Sequence, residues 1–351
     1  MDFQNLEKRP LIIAGPCSAE SQEQVIQTAH ALHKTKKVHI FRSGIWKPRT
    51  RPGCFEGVGK KGLPWLERVK KETGLLTTIE VANPRHVELA LKHNVDILWI
   101  GARTTTSPFA VQEIVESLKG TNQPVMIKNP VNQDISLWIG ALERFQAASL
   151  NNLCVIHRGF SPGIKGKYRN RPSWDIPLKI KETFPKIPLI CDPSHMGGKR
   201  ELIEPISKEA LTLKMDGLMI ESHIKPEVAL SDSAQQITPD TLSLILKNLH
   251  SNFLKVHSAQ SKLDKLRNEI DPIDQELLEI LQRRMNIVQQ IAIDKKKNNI
   301  LPLQRSRMQG LIKSRITKGV QLGLRETYVK ELYQIIHKES VTRQTEIMTL
   351  T

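Results

Sequence analysis

The sequence predicts an α/β fold, a (β/α)8 barrel followed by a small all-α helical domain, and three observations predict it. Eight short β-branched runs alternate with amphipathic helical stretches from residue 11 to about residue 250. Beyond that point the strand signal vanishes and three-four spacing of apolar residues takes over. The chain, at 351 residues, also exceeds the roughly 250 to 300 over which a single core keeps growing, so two cores are expected.

The eight runs are LIIAGPCS (11 to 18), VHIFRSG (38 to 44), LLTTIEVA (75 to 82), VDILWIGAR (95 to 103), PVMIKNP (124 to 130), LCVIHRGF (153 to 160), IPLICDPSH (187 to 195) and DGLMIESH (216 to 223). They are almost continuously apolar, as strands covered on both faces are. Between them SQEQVIQTAHALHK, NPRHVELALKHN and SPFAVQEIVESLKG each open on a Ser or Asn able to cap a helix, and several such stretches close at Gly or Asn. Eight such units close into a parallel barrel. An open doubly wound sheet is the alternative, but no GxGxxG follows any run.

SNFLKVHSAQSK (251 to 262) is polar and suits a linker, so domains are expected over 1 to 252 and 263 to 351 with 253 to 262 between them. Leu263, Leu266, Ile270, Ile273, Leu277, Ile280 and Leu281 keep the spacing of one long amphipathic helix. Pro272 should kink that helix or mark its true start. Further helices are expected near 303 to 318 and 325 to 347.

Composition narrows the function classes. An apolar fraction of 39% with 25% charged residues is ordinary for a globular protein. No apolar run approaches the roughly 20 residues that span a bilayer, and the polar start lacks a secretory core, so a cytoplasmic chain without membrane contact is expected. Four cysteines without CxxC spacing make no disulfide framework, which leaves each as a ligand or a core thiol. A net charge of +16 admits nucleic acid as a partner. Aromatics are only 5%, however, the basic residues are dispersed, and no nucleic-acid-binding motif appears. Anionic small substrates account for the same charge, and no nucleic-acid partner is expected.

In barrels of this kind the chemistry sits at the carboxyl ends of the strands. There the sequence places Cys17 after the first run, His195 after the seventh, Glu221 at the end of the eighth, and Asp232 in the following loop ALSD. Singly, these read as a core thiol, a loop histidine and solvated acids. Together they form a donor set for a borderline divalent ion such as Mn, Fe, Co or Zn. The same rim carries Arg42, Lys47 and Arg49 after the second run, Arg103 after the fourth, Lys128 on the fifth and Arg158 on the sixth. Lys128 and Arg158 lie inside apolar runs, where a charge needs a counter-ion; a phosphate and a carboxylate would supply it.

AGPCSAES (14 to 21), KPRT (47 to 50), GARTTTSP (101 to 108), IKNP (127 to 130), HRG (157 to 159), DPSH (192 to 195) and ALSD (229 to 232), in this order, resemble 3-deoxy-D-arabino-heptulosonate 7-phosphate (DAHP) synthase, its small type Iβ branch above all. The resemblance implies an aldol-like condensation of phosphoenolpyruvate with erythrose 4-phosphate, with release of inorganic phosphate. It implies that Cys17, His195, Glu221 and Asp232 hold one divalent metal ion. Lys47, also a catalytic candidate, would contact phosphoenolpyruvate together with Arg103, Lys128 and Arg158, with Arg42 on its phosphate side. Arg49 and Thr50 would contact erythrose 4-phosphate. The chain begins almost at the first run, so the amino-terminal regulatory extension of some relatives is not expected. The sister enzyme that makes 3-deoxy-D-manno-octulosonate 8-phosphate from arabinose 5-phosphate carries KANR where this chain has KPRT, which favours the four-carbon aldose.

Arg284 and Lys295 are 11 residues apart, about three turns, and share a face if their helix is continuous. LRNEIDPIDQELLEILQRR (266 to 284), DKKKNN (294 to 299) and HKESVTRQ (337 to 344) resemble AroQ-type chorismate mutase. The resemblance implies a chorismate site of Arg267, Arg284, Lys295, Arg307, Ser340 and Gln344. Lys295 and Gln344 would act as catalytic donors to the ether oxygen. It also implies a homodimer through the helical domain, Arg267 reaching across from the partner. Met308 and Gln304 depart from the family's glutamate and aspartate. A non-catalytic helical domain that senses prephenate or chorismate and regulates the barrel is therefore the alternative, and either ligand is the expected effector.

Overall fold

A computed structural model of the chain describes residues 1–3, 10–49, 53–161 and 166–349, with the backbone alone over 250–268 and at 305. The expected barrel forms. Its strands are β1 (Leu11–Gly15), β2 (Ile40–Arg42), β3 (Leu76–Val81), β4 (Ile97–Ile100), β5 (Val125–Lys128), β6 (Leu153–His157), β7 (Leu189–Cys191) and β8 (Gly217–Glu221). Each pairs in parallel with the next, and β8 closes on β1 through Leu11↔Gly217 to Gly15↔Glu221. The strands are shorter than the runs, and the polar residues that close several of them, such as Asp192 to His195 after Cys191, leave the sheet at the carboxyl rim.

Side-chain alternation sorts the strands into two cores. Leu11, Ile13, Ile40, Ile97, Trp99, Met126, Cys154, Ile156, Ile190 and Met219 pack together in one cluster, which fills the barrel interior, and Phe3 joins them. Their neighbours Ile12, Ala14, Phe41, Leu98, Ile127, Val155 and Leu218 belong to the second cluster, between strands and helices. The helices are α1 (Gln22–Lys34), α2 (Leu63–Thr73), α3 (Pro84–Lys92), α4 (Ala102–Thr105), α5 (Pro108–Leu118), α6 (Ile135–Ala147), α7 (Asp175–Thr183), α8 (Pro193–Gly197), α9 (Ile203–Thr212), α10 (Pro239–Lys297), α11 (Arg305–Gln321) and α12 (Glu326–Thr349). Ser21, Asn83 and Ser107 cap α1, α3 and α5, each accepting from a backbone N–H three residues on.

The chain divides into two compact units, Met1–Lys255 and Val256–Thr351. In the first, the opening turns of α10 complete the outer layer with Leu242, Ile245, Leu246 and Leu249. Residues 253 to 262, expected as a linker, have helical backbone within α10. Pro272 lies inside that helix, so it does not mark the start, which falls at Pro239. In the second unit α11 and α12 pack closely at Gly319, where an added Cβ would come within 2.6 Å of the buried Val329. Among the described residues, no helix is long and apolar enough to cross a membrane.

Candidate active site

Parallel strands deliver their last residues to one rim. Arg42, Lys128, His157 and Glu221 each end a strand, and Cys17, Arg158 and Asp192 follow one within two residues. Cys17, Glu221 and Asp232 converge there, with one ligand atom from each lying within 4.8 Å of the others. Cys17 Sγ donates to Asp232 Oδ2 at 3.4 Å and accepts from Lys47 Nζ at 3.0 Å. His195 stands beside this trio, its Nε2 3.6 Å from Glu221 Oε1. Glu221 is fully buried, pairs with Arg42 Nη2 at 3.1 Å, and accepts from Gln235 Nε2 at 2.6 Å through its other oxygen. Asp232, with φ 47, sits in the left-handed region, which turns the ALSD loop inward.

Burial and charge set the protonation states. Burial, reinforced by the Glu221 carboxylate, pushes the Cys17 thiol up to about 12. Burial also opposes ionisation of Glu221, but His195 and Arg42 outweigh it and hold the carboxyl below its ordinary value. Glu221 Oε1 makes no hydrogen bond. A soft thiol, two carboxylates and an adjacent imidazole, with a buried Glu221 oxygen that is ion-paired to Arg42 but accepts no hydrogen bond, fit a borderline divalent cation, whose charge would favour the thiolate.

Asp192 was not singled out from the sequence, yet it ties this cluster to the cations. Its Oδ2 accepts from Lys128 Nζ at 2.8 Å and lies 2.8 Å from His195 Nδ1, though the latter N–H is poorly aligned. Its Oδ1 caps α8 by accepting from the His195 backbone at 3.1 Å. Directing Nδ1–H at Asp192 leaves the Nε2 lone pair facing Glu221. Burial opposes the charge on Asp192, and His195 and Lys128 together reverse this, holding the carboxyl well below its usual range. Arg169 was likewise missed: it donates to Asp232 at 3.0 Å and to Gln235 at 2.7 Å. The signal available for Asp192 was a charge at the end of an apolar run, immediately before Pro-Ser-His. Arg169 had no local signal.

The cations flank the trio over the face of Trp99, with Arg42 and Lys128 5.1 and 5.7 Å from its ring centroid. Trp99 Nε1 donates to Glu80, which in turn fills the space a side chain at Gly101 would need: an added Cβ there would lie 2.1 Å from Glu80 Oε1. Arg158 donates to Asn170 at 2.8 Å, and burial lowers its guanidinium to about 10. Arg42 is 1% exposed, and its Nε and Nη1 are buried with no acceptor. Arg49 donates to the Phe55 carbonyl at 2.8 Å, Arg103 is exposed, and Thr50 lies outside the described residues.

In the second unit, Arg284 donates to Ser340 Oγ at 2.5 Å, and Gln344 Nε2 donates to the Ser340 carbonyl at 3.1 Å. Lys295 donates to the Pro302 carbonyl at 2.8 Å. Burial lowers both Arg284 and Lys295. Arg307 is exposed on α11 and Met308 is half-buried one residue on, while Gln304 precedes α11 without capping it through its side chain. The side chain of Arg267 lies outside the described residues.

A closed parallel barrel whose rim gathers a trio able to hold a metal and an acceptor-hungry arginine defines a (β/α)8-barrel protein suited to anionic ligands beside a cation. The chain belongs to the DAHP synthetase I family, whose model matches residues 5–255. Residues 266–345 match chorismate mutase type II. The phospho-2-dehydro-3-deoxyheptonate aldolase of Thermotoga maritima is 31% identical over 226 residues, 64% of this chain, and the chain thus spans 64% of that relative's length. A 2-dehydro-3-deoxyphosphooctonate aldolase of Campylobacter jejuni is 30% identical over 282 residues, 72% of this chain and 97% of that one. Among solved structures, the Thermotoga maritima DAHP synthase superposes with a TM-score of 0.63 at 27% identity, covering 70% of this chain and 69% of that one. Its truncated form gives 0.61 at 25% identity over 70% and 87%.

Proposed function

We propose that the chain is a bifunctional enzyme of aromatic biosynthesis. Its barrel condenses phosphoenolpyruvate with erythrose 4-phosphate to DAHP and phosphate, and its helical unit rearranges chorismate to prephenate. The carrying observation is the pair of buried Arg42 nitrogens with no acceptor, beside a trio able to hold a metal. Unsatisfied buried donors are costly, and an anionic substrate removes the cost.

In this reading Cys17, His195, Glu221 and Asp232 hold one divalent ion, which when bound polarises the aldehyde oxygen. Lys47, Arg103, Lys128 and Arg158 grip phosphoenolpyruvate, and Arg42 turns its free nitrogens to the phosphate. Arg49 and Thr50 take the aldose phosphate. Asp192 keeps the His195 imidazole oriented and Lys128 charged, so both sides of the reacting pair are held by one carboxylate. The test is phosphate release from phosphoenolpyruvate with and without chelator, using each aldose. KPRT, in place of the KANR of the eight-carbon enzymes, supports erythrose 4-phosphate; preference for arabinose 5-phosphate would defeat the assignment.

In the helical unit, Arg284 and Arg307, with Arg267 of a second copy, clamp the two carboxylates of chorismate, and Ser340 holds Arg284 in place. Lys295 and Gln344 donate to the ether oxygen as charge develops there. A homodimer is supported by Ile270, Ile273, Leu277 and Ile280, an exposed apolar stripe at helical spacing on α10; a monomer in sedimentation equilibrium would exclude it. Feedback on the barrel by prephenate or chorismate is part of the proposal, as is a cytoplasmic location, which the four free cysteines support. A second reading, a non-catalytic sensor, is favoured by Met308 and Gln304. Chorismate turnover by the full chain decides between them.

A further inference from the structure

His337 opens the HKESVTRQ segment, yet neither proposed reaction uses it. On α12 it stands three residues before Ser340 and seven before Gln344, so the three share one helical face. Ser340 and Gln344 are both buried, and Ser340 is bonded to Arg284. His337 is half-buried, and its Nε2 is enclosed with no hydrogen-bond partner. Gln344 Oε1, two turns along the same face, is in the same condition. Two enclosed polar atoms without partners, flanking the Ser340–Arg284 bond, mark a place where a ligand completes the bonding.

The charges around the ring indicate what kind of ligand. Burial, with the charges of Arg284 and Lys295 of α10, lowers the His337 imidazole below its ordinary value and so favours its neutral form. Tyr333 of α12 and Arg315 of α11 act electrostatically on Arg284, the first raising and the second lowering it. Among the described residues no carboxylate pairs with Arg284 or Lys295; both donate to neutral oxygens. An entering dicarboxylate supplies that negative charge. Once it lies between the two cations, their repulsion of a third positive charge is offset, and an imidazolium becomes favourable.

We propose that His337 is a further basic contact to the dicarboxylate bound in the helical site, its Nε2–H donating to one carboxylate while the ring takes one proton from solvent. The inference rests on the mutase-site reading and deepens it. No other bond is made or broken in this step: the proton comes from the buffer and returns when the ligand leaves. Ligand affinity therefore rises as pH falls from about 7.5 to about 5.5, across the ordinary histidine range.

Calorimetric titration of the full-length chain with prephenate, the dicarboxylate product of the proposed rearrangement, tests this. Titrations at pH ~6.5, near the histidine value, are run in two buffers of different ionisation enthalpy. The wild-type chain should take up roughly half a proton per site. His337→Asn should take up none and bind about tenfold more weakly, as loss of one charge-assisted bond implies. His337→Lys, charged throughout, should bind without proton uptake and lose the pH dependence. Wild-type binding without proton uptake overturns the proposal, and so does undiminished uptake by His337→Asn. Because the wild-type titrations alone can refute it, the test does not depend on any variant folding. Failure of the wild-type chain to bind either prephenate or chorismate would instead remove the helical-site reading on which it stands.

Discussion

The two proposed sites solve the problem of concentrated charge in opposite ways. At the barrel rim, charges of both signs are buried together: Arg42 with Glu221 and Lys128 with Asp192, in side chains at most 6% exposed. In the helical unit Arg284 and Lys295 meet only a hydroxyl and a carbonyl among the described residues. The first arrangement needs partners in place before the protein folds stably, since one unpaired buried charge costs several kcal/mol. The second tolerates unmatched cations because Arg284 and Lys295 are only partly buried. A site with internal counter-ions can be preorganised for a cation and an anion at once; a site without them is empty of negative charge until its ligand arrives.

That contrast breaks first at Cys17. Cys17→Ala should lower DAHP formation by at least about 10³-fold, through loss of a metal donor, and leave chorismate turnover unchanged. A full synthase rate in this variant would remove the metal reading. The mirror-image variant is Lys295→Ala, expected to lower chorismate turnover by about 10²- to 10³-fold, as loss of a donor to developing charge does, with the synthase rate intact. Equal rates before and after would show that Lys295 is only a solvated helix residue.

A smaller effect sharpens the barrel side. Asp192→Asn keeps an acceptor for the α8 cap but places a dipole where Lys128 and His195 share a charge. Loss of such support around a metal ligand typically costs about 10- to 100-fold. The expectation is a fall of that size in both divalent-ion affinity and phosphoenolpyruvate affinity, read by calorimetry rather than by rate. A loss confined to one ligand would mean that the carboxylate serves only one of the two neighbours.

Asp192 also shows where reading the sequence stops. The strands were readable because runs buried on both faces are apolar throughout, and rim residues such as Cys17, Lys128 and Glu221 because they lie near the end of such a run. A residue that acts on Lys128, 64 positions away, leaves no local mark beyond its own charge, and the Arg169–Asp232 contact spans 63. In α10 composition left the local structure open: SNFLKVHSAQSK is polar but contains neither Gly nor Pro, so nothing in it prevents helix from continuing, and the division between the two units falls within it. His337 was present in a quoted segment, but its meaning depends on two side chains contributed by another helix.

The smallest expected effect compares one histidine from each unit. His157 is fully buried, donates its Nε2–H to the Pro172 carbonyl at 2.6 Å, and burial drives it down to about 3. The unfolded chain protonates it near 6.5 while the folded barrel resists, so the unfolded state binds more protons between these values. The stability this neutral imidazole permits is therefore complete above about pH 6.5 and is lost as pH falls toward 3, by up to about 1.4 kcal/mol per pH unit. His337, only half-buried, is lowered in the same direction by burial and by Arg284 and Lys295, so the helical unit should lose stability over a narrower window just below the ordinary histidine value. Thermal unfolding followed from pH 7.5 to 4.5 checks this. His157→Gln should flatten the acid slope of the barrel transition, and His337→Asn should flatten only that of the helical one. If His157→Gln leaves the barrel slope unchanged, the acid sensitivity lies in the carboxylates of the rim, whose paired charges are then the weaker point of the preorganised site.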